Sequence, residues 1–275
     1  MSDEELKELQ EKILEIVEYF DTFCKENDIE YYLMGGSALG AMRHRGFIPW
    51  DDDFDVFMDR ENYLKFLQKA KKSLDATNFY LQEENTKEYP LFFSKIRMNN
   101  TTFIEKDIQH RDMHHGIYID IMCLNNTVDI TPIRYIQYFC ARVLSASGIA
   151  KQGYITNSKF KKVAIFIAKY LIRGVIKSML LSIVRAFNTK DTSLVGHFFG
   201  RAPFKKTSFS REFLSPPRYV EFNHLTLPVA KNVEDYLTVR YGKNYMDMPS
   251  QETKDLYPSH AYIVDTKKSY REYQC

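Results

Sequence analysis

Four aspartates, Asp51, Asp52, Asp53 and Asp55, fall within five positions of a 275-residue chain. In an extended strand side chains alternate between faces, so Asp51, Asp53 and Asp55 point one way while Phe54, Val56 and Met58 point into a core. Three carboxylates converging on one face repel unless a cation neutralises them, and hard oxygen ligands suit Mg2+ or Mn2+. A calcium loop opening on the same aspartates wants glycine at its sixth position and glutamate at its twelfth, where this chain has Val56 and Asn62. An acidic turn capping the helix that begins near Asp59 needs one carboxylate rather than four. Upstream, residues 31–34 are apolar with strand character and Gly35-Gly36-Ser37 interrupts them, which predicts a strand, a tight turn and a small helix over 38–43. Such a turn can cradle phosphate, because its glycines admit close approach and the amides at the helix N-terminus point at an anion.

A Gly-Ser pair after one strand, followed by Asp-x-Asp on a second, is similar to the arrangement of the nucleotidyltransferase superfamily. More specifically, GGSALGAMRHRGFIPWDDDFDV resembles, without a gap, the signature of the LicD family of phosphotransferases, which includes phosphorylcholine transferases and fukutin-like proteins. Lys95-Ile96-Arg97 followed by Thr101-Thr102-Phe103-Ile104-Glu105, and Gly116-Ile117-Tyr118-Ile119-Asp120-Ile121, also fit; Tyr241-Gly242 through Tyr245-Met246 to Pro249 is a weaker echo. The resemblance covers residues 30–127 well, 215–250 loosely and 128–210 not at all. It implies a nucleotidyltransferase-like fold and transfer of phosphocholine or a polyol phosphate from a cytidine diphosphate donor, CDP-choline or a CDP-polyol. The acceptor it implies is a hydroxyl of a cell-surface glycan or lipid-linked glycan precursor, with release of CMP. Carried onto this chain, Asp53, Asp55 and Asp120 hold the metal and Asp51 or Asp120 takes the acceptor's proton. Gly36, Ser37, Arg45, Lys95 and Arg97 contact substrate. Two other readings stay open: a nucleotidyltransferase releasing pyrophosphate from a nucleoside triphosphate, and an inactive membrane-surface binding module.

The residues themselves support part of this set. Asp120 lies between Ile119 and Ile121, and a lone carboxylate in an apolar strand is costly unless metal-bound or paired, with a loop or Arg97 as the structural alternatives. Lys95 and Arg97 share one face of their strand, where cations can meet phosphate or simply face solvent. Adjacent His114 and His115 point to opposite faces of a strand and stay outside the site. Arg45, near the aspartates in sequence, either neutralises donor phosphate or forms a salt bridge with Asp51 or Asp52.

The scaffold around these residues reads as α/β (α+β), a mixed-sheet nucleotidyltransferase-like core with a basic helical insertion. The expected division is a catalytic core over 1–127, the insertion over 128–210, and a C-terminal segment over 211–275 packing on the core. Ser2 and Glu5 form a capping box for an amphipathic helix carrying Leu6, Leu9, Ile13, Val17, Phe20 and Cys24 at helical spacing. Asp59 caps a helix over 60–72 that buries Tyr63, Phe66, Leu67 and Ala70. Strands are predicted over 79–82, 91–97, 102–105 and 117–122, a hairpin over 218–229 turning at Asn223-His224, and a helix over 233–241 stopped by Gly242. The polar, tyrosine-rich tail from residue 247 shows no usable pattern.

An apolar content of 44% supplies a core, and four cysteines without paired spacing argue against a disulfide scaffold or zinc site. With no secretory leader pattern, the expected compartment is the reducing cytoplasm. Charge is unevenly spread: residues 130–211 hold fifteen Lys and Arg against Asp191 alone, net +14 in a chain of net +2, which leaves −12 elsewhere. Residues 160–187 have helical periodicity with Lys162, Lys169, Arg173 and Lys177 in one arc. Their longest uncharged run, 178–184, falls far short of the roughly 20 apolar residues a bilayer span needs. A basic helix of this type either lies in an anionic interface, peripheral on the inner membrane face, or buries its apolar side as core. Nucleic acid is not expected as a partner, since no recognition motif accompanies the charge.

Overall fold

The computed structural model describes residues 1–153, 159–255 and 259–273. Helix α1 (Asp3–Glu26) starts at the expected capping box: the Ser2 hydroxyl accepts from the Glu5 N–H, and the Glu5 carboxylate accepts from the Ser2 N–H at 2.6 Å. After β1 (Tyr32–Leu33), helix α2 (Gly35–His44) begins on the glycines themselves, earlier than the pattern predicts. Gly35 takes φ +50, so the chain turns out of β1 straight into the helix without an intervening loop. The extended stretch expected from Asp51 is strand only in its last part, β2 (Asp55–Met58), which pairs along its whole length with β6 and at Val56 and Phe57 with β1. Asp59 caps α3 (Arg60–Ser73) by accepting the Asn62 N–H at 2.8 Å, and Tyr63, Phe66, Leu67 and Ala70 are buried as expected.

Strands β3 (Phe79–Gln82), β4 (Ser94–Met98), β5 (Thr102–Glu105), β6 (Tyr118–Cys123) and β7 (Asn125–Thr127) follow. The chain then runs through α4 (Thr131–Gln152), α5 (Lys159–Leu171) and α6 (Gly174–Val184). The single helix expected over 160–187 is therefore two, broken where Gly174 adopts φ +53; the expected stretch begins at Phe160, whose side chain lies outside the description. Next come β8 (Leu194–Gly196), β9 (Ser208–Ser210), the hairpin β10 (Arg218–Phe222) and β11 (Leu225–Val229), and α7 (Val233–Tyr241), which ends at Gly242. The unpatterned tail contributes α8 (Gln251–Asp255) and β12 (Ala261–Asp265).

The central sheet has the order β1-β2-β6-β4-β3, with β2 parallel to β6 and every other pair antiparallel. A mixed α/β fold results, as the sequence predicts. Alternation along β6 puts Ile119 and Ile121, both fully buried, on the face opposite Asp120. Helices α1 and α3 cover the sheet and meet edge-on through Phe20 and Phe66, with ring centroids 5.8 Å apart. A smaller sheet, β7-β8-β9, receives the chain back from the helical segment, and β12 pairs with β5. Under α4 and α6 sits a separate small core of Phe92, Cys140, Ala141, Leu144, Val184 and Phe198. Cys24, Cys123 and Cys140 are free and buried, whereas Cys275 lies outside the described residues.

Candidate active site

Three strand neighbours define the centre of the site. In register, Asp55 of β2 lies beside Asp120 of β6, and Asp120 lies beside Lys95 of β4. The Lys95 ammonium donates to Asp120 Oδ1 at 2.6 Å and sits 3.3 Å from the centroid of the Tyr118 ring. Against this row α2 presents its first turn. The Ser37 hydroxyl accepts the Asp55 N–H at 2.8 Å, which fixes where β2 begins. A methyl group on Gly36 would lie 2.6 Å from Asp51 Oδ2, so only glycine lets that carboxylate approach the helix. Tyr236 reaches in from α7 to accept the Gly35 N–H at 3.0 Å, and the Tyr241 hydroxyl would lie 3.7 Å from a Gly35 methyl.

Asp52 has a different task. Oδ2 accepts from the Ser259 hydroxyl and the His260 N–H, both at 2.7 Å, and Oδ1 lies 3.1 Å from His260 Nδ1. The carboxylate holds the His260 imidazolium up to about 8 and is itself held below the usual range, against the burial that opposes it. It thereby pins the start of β12 beside the aspartate cluster. Asp53 Oδ2 stands 3.9 Å from the same ring nitrogen.

The other sequence-predicted residues divide. Lys95 is at the cluster but committed to Asp120, so the pairing partner of Asp120 is Lys95 and not Arg97. Arg97 is fully buried, donating from Nε to Gln82 Oε1 and from a terminal nitrogen to the Gly116 carbonyl, both at 2.8 Å. Arg45 forms neither salt bridge weighed for it. As the left-handed C-cap of α2 (φ 53) it swings outward to Glu221 of the hairpin, 3.6 Å away and largely exposed. His114 stacks on Tyr80 with centroids 4.9 Å apart and His115 bonds the Arg111 carbonyl, both outside the site. Beside the cluster, the Lys254 ammonium lies 4.1 Å from the Trp50 ring centroid. Sequence reading missed Ser259, His260 and Tyr236 and gave Tyr241, the start of the weaker echo, no place at the site; the apolar residues Ala261, Ile263 and Val264 were the available sign that the tail returns to the sheet.

Arg97 gives a direct test of structure against binding. Arg97→Met leaves the Gln82 and Gly116 oxygens without their donor, at about 1–3 kcal/mol each. The expected result is a lower urea midpoint with the donor KM unchanged; a raised KM at wild-type stability would make Arg97 a substrate contact.

Electrostatically the aspartates are strained. Burial, then Asp53, Asp120 and Asp51, push the Asp55 carboxyl well above its ordinary value. Burial, then Asp53 and Asp52, do the same to Asp51. Burial also raises Asp120 and lowers Lys95, each resisted by the other. Among the described residues neither Asp51 nor Asp55 has a cation within ion-pair distance. Crowded hard oxygens short of positive charge fit a divalent cation such as Mg2+ or Mn2+. Among the described residues, Asp52, Asp53 and His260 bring one ligand atom each within 4.8 Å of one another; Asp53, Asp55 and Asp120 do not gather that closely. Yet Asp52 already takes several protein donors and His260 faces it as a hydrogen-bond partner, so that group is the poorer ligand set.

Residues 28–127, which carry β1 through β7 and all four aspartates of the cluster, match the family described as LicD/FKTN/FKRP, nucleotidyltransferase domain. The chain is 26% identical over 268 residues to the lipopolysaccharide cholinephosphotransferase LicD of Haemophilus influenzae, covering 94% of this chain and 98% of that protein. It is 27% identical over 128 residues to an uncharacterized protein of Rickettsia prowazekii, 44% of each chain. It is 27% identical over 124 residues to mannosyltransferase regulator 4 of Saccharomyces cerevisiae, 44% of this chain and 10% of that protein.

Proposed function

We propose, from the match of residues 28–127 to the LicD family, that this phosphotransferase moves phosphocholine, or a related polyol phosphate, from a cytidine diphosphate donor to a glycan hydroxyl. The observation that carries this reading is the row Asp55, Asp120 and Lys95 on adjacent strands, closed by Asp51 against the first turn of α2. Asp53, Asp55 and Asp120 would hold Mg2+ or Mn2+, which when bound supplies charge neutralisation for the donor diphosphate.

The chain's own groups do the positioning. The Gly36 and Ser37 amides, first-turn donors without an intrahelical acceptor, orient phosphate oxygens. Lys95 keeps Asp120 in place through its 2.6 Å bond. With one oxygen of Asp120 so engaged, we assign the proton acceptor to Asp51. The acceptor hydroxyl loses its proton to Asp51 and its oxygen bonds to the distal phosphorus. The bond from that phosphorus to the bridging oxygen breaks, and CMP leaves with the electron pair. A quaternary ammonium is drawn to aromatic faces, and Trp50, next to Asp51, offers one that already attracts the Lys254 ammonium. The lipopolysaccharide substrate named for the Haemophilus relative favours a cell-surface glycan or its lipid-linked precursor as acceptor. Three buried free thiols suit work in a reducing cytoplasm.

The test is phosphorus NMR of CDP-choline, CDP-ribitol and CDP-glycerol incubated with the protein, with and without glycan acceptor. Acceptor-dependent CMP is expected. Pyrophosphate formed from CTP would identify a nucleotidyltransferase instead.

A further inference from the structure

The helical segment between β7 and β8 leaves large apolar side chains in solvent even though it has its own small core. On α4, Tyr135, Ile136 and Phe139 recur at helical spacing and are 53%, 52% and 57% exposed. On α5, Phe166 is 64% exposed, and Val175 at the start of α6 is 84% exposed. All three helices are in contact, α4 with both others. So much uncovered apolar surface on contiguous helices marks an interaction site.

Charge decides what covers it. Lys162 and Lys169 of α5 and Arg142 of α4 are exposed beside these side chains, and residues 130–211 hold Asp191 as their single acid. A second copy laid on the same face would set cations against cations. A bilayer span is also excluded for the described helices: none is long and apolar enough to cross, and α5 and α6 have 13 and 11 residues.

We propose that α4, α5 and α6 form a docking surface for an anionic lipid bilayer, lying in the interface with Phe166 and its apolar neighbours at the acyl boundary and Lys162 and Lys169 on lipid phosphates. The inference is independent of the phosphotransfer reading, since it uses none of the aspartates.

The full chain should co-sediment with phosphatidylglycerol vesicles at low salt and be released at high salt, while phosphatidylcholine vesicles leave it in solution. Lys162→Gln with Lys169→Gln should weaken that binding about ten-fold or more, at unchanged circular dichroism and melting temperature. Phe166→Trp should shift its emission to the blue on the anionic vesicles only. Equal recovery with both lipids, recovery with neither, or a doubled solution mass without lipid binding would overturn the proposal, the last by showing that a second copy covers the face.

Discussion

Asp55→Asn is expected to lower turnover by on the order of 10²–10³-fold and, in the absence of divalent cation, to raise the melting temperature. The two effects share one cause. Burial and then Asp53, Asp120 and Asp51 raise the proton affinity of Asp55, so the folded state holds that proton more tightly than the unfolded chain does. A group raised in this way contributes its full stability below the unfolded carboxylate value and loses it as pH rises through the folded value. At neutral pH the charged carboxylate is therefore a cost to folding, and the neutral amide removes it. For a chain of this size each kcal/mol relieved is worth about 2–4 °C. Calorimetry in EDTA should show the gain at pH 7 and its disappearance near pH 4. Among the described residues this side chain, like Asp51, has no cation within ion-pair distance, so the substitution that relieves the fold should disable the chemistry. A variant that melts lower, or turns over at nearly the wild-type rate, would sink this view of the cluster.

Lys95→Met should act in the opposite direction on stability. Both members of the Lys95–Asp120 pair are buried, and the 2.6 Å bond compensates each charge. Removing one partner of such a pair leaves the other uncompensated, at about 3–5 kcal/mol. The double variant Lys95→Met with Asp120→Asn should regain most of that loss in urea denaturation while remaining inactive. That outcome would show the pair as coupled in folding and the carboxylate as needed for catalysis. Additive losses in the double variant would mean that the two side chains do not depend on each other, contrary to the register that sets them side by side.

Much of the scaffold was legible because its signals are local. The Ser2 capping box, the Asp59 cap, the apolar face of α3 and the Asn223 turn each need only a few neighbouring residues, and each stands where the sequence puts it. The start of α2 was misjudged because glycines read as a turn, whereas here Gly35 supplies one left-handed residue and the helix starts at once. The break at Gly174 has the same origin with the opposite sign: periodicity carried through a residue whose φ ends the helix. At the site, alternation indicates which face Asp55, Lys95 and Asp120 share, but not that they are neighbours. That follows from the β2-β6-β4 order, a tertiary fact. Nearness in sequence misled for Arg45, which the cap geometry of α2 turns away toward Glu221. The Asp52 clamp on Ser259 and His260 joins positions about 207 apart, and no local pattern announces it.

We propose that Asp53, Asp55 and Asp120, rather than the tighter group of Asp52, Asp53 and His260, hold a divalent cation. Mn2+ titration followed by electron paramagnetic resonance, in the presence of CDP-choline, separates the two on Asp55→Asn and His260→Asn proteins. The account predicts that Asp55→Asn abolishes tight Mn2+ binding and that His260→Asn retains it. Tight binding kept by Asp55→Asn and lost by His260→Asn would contradict it.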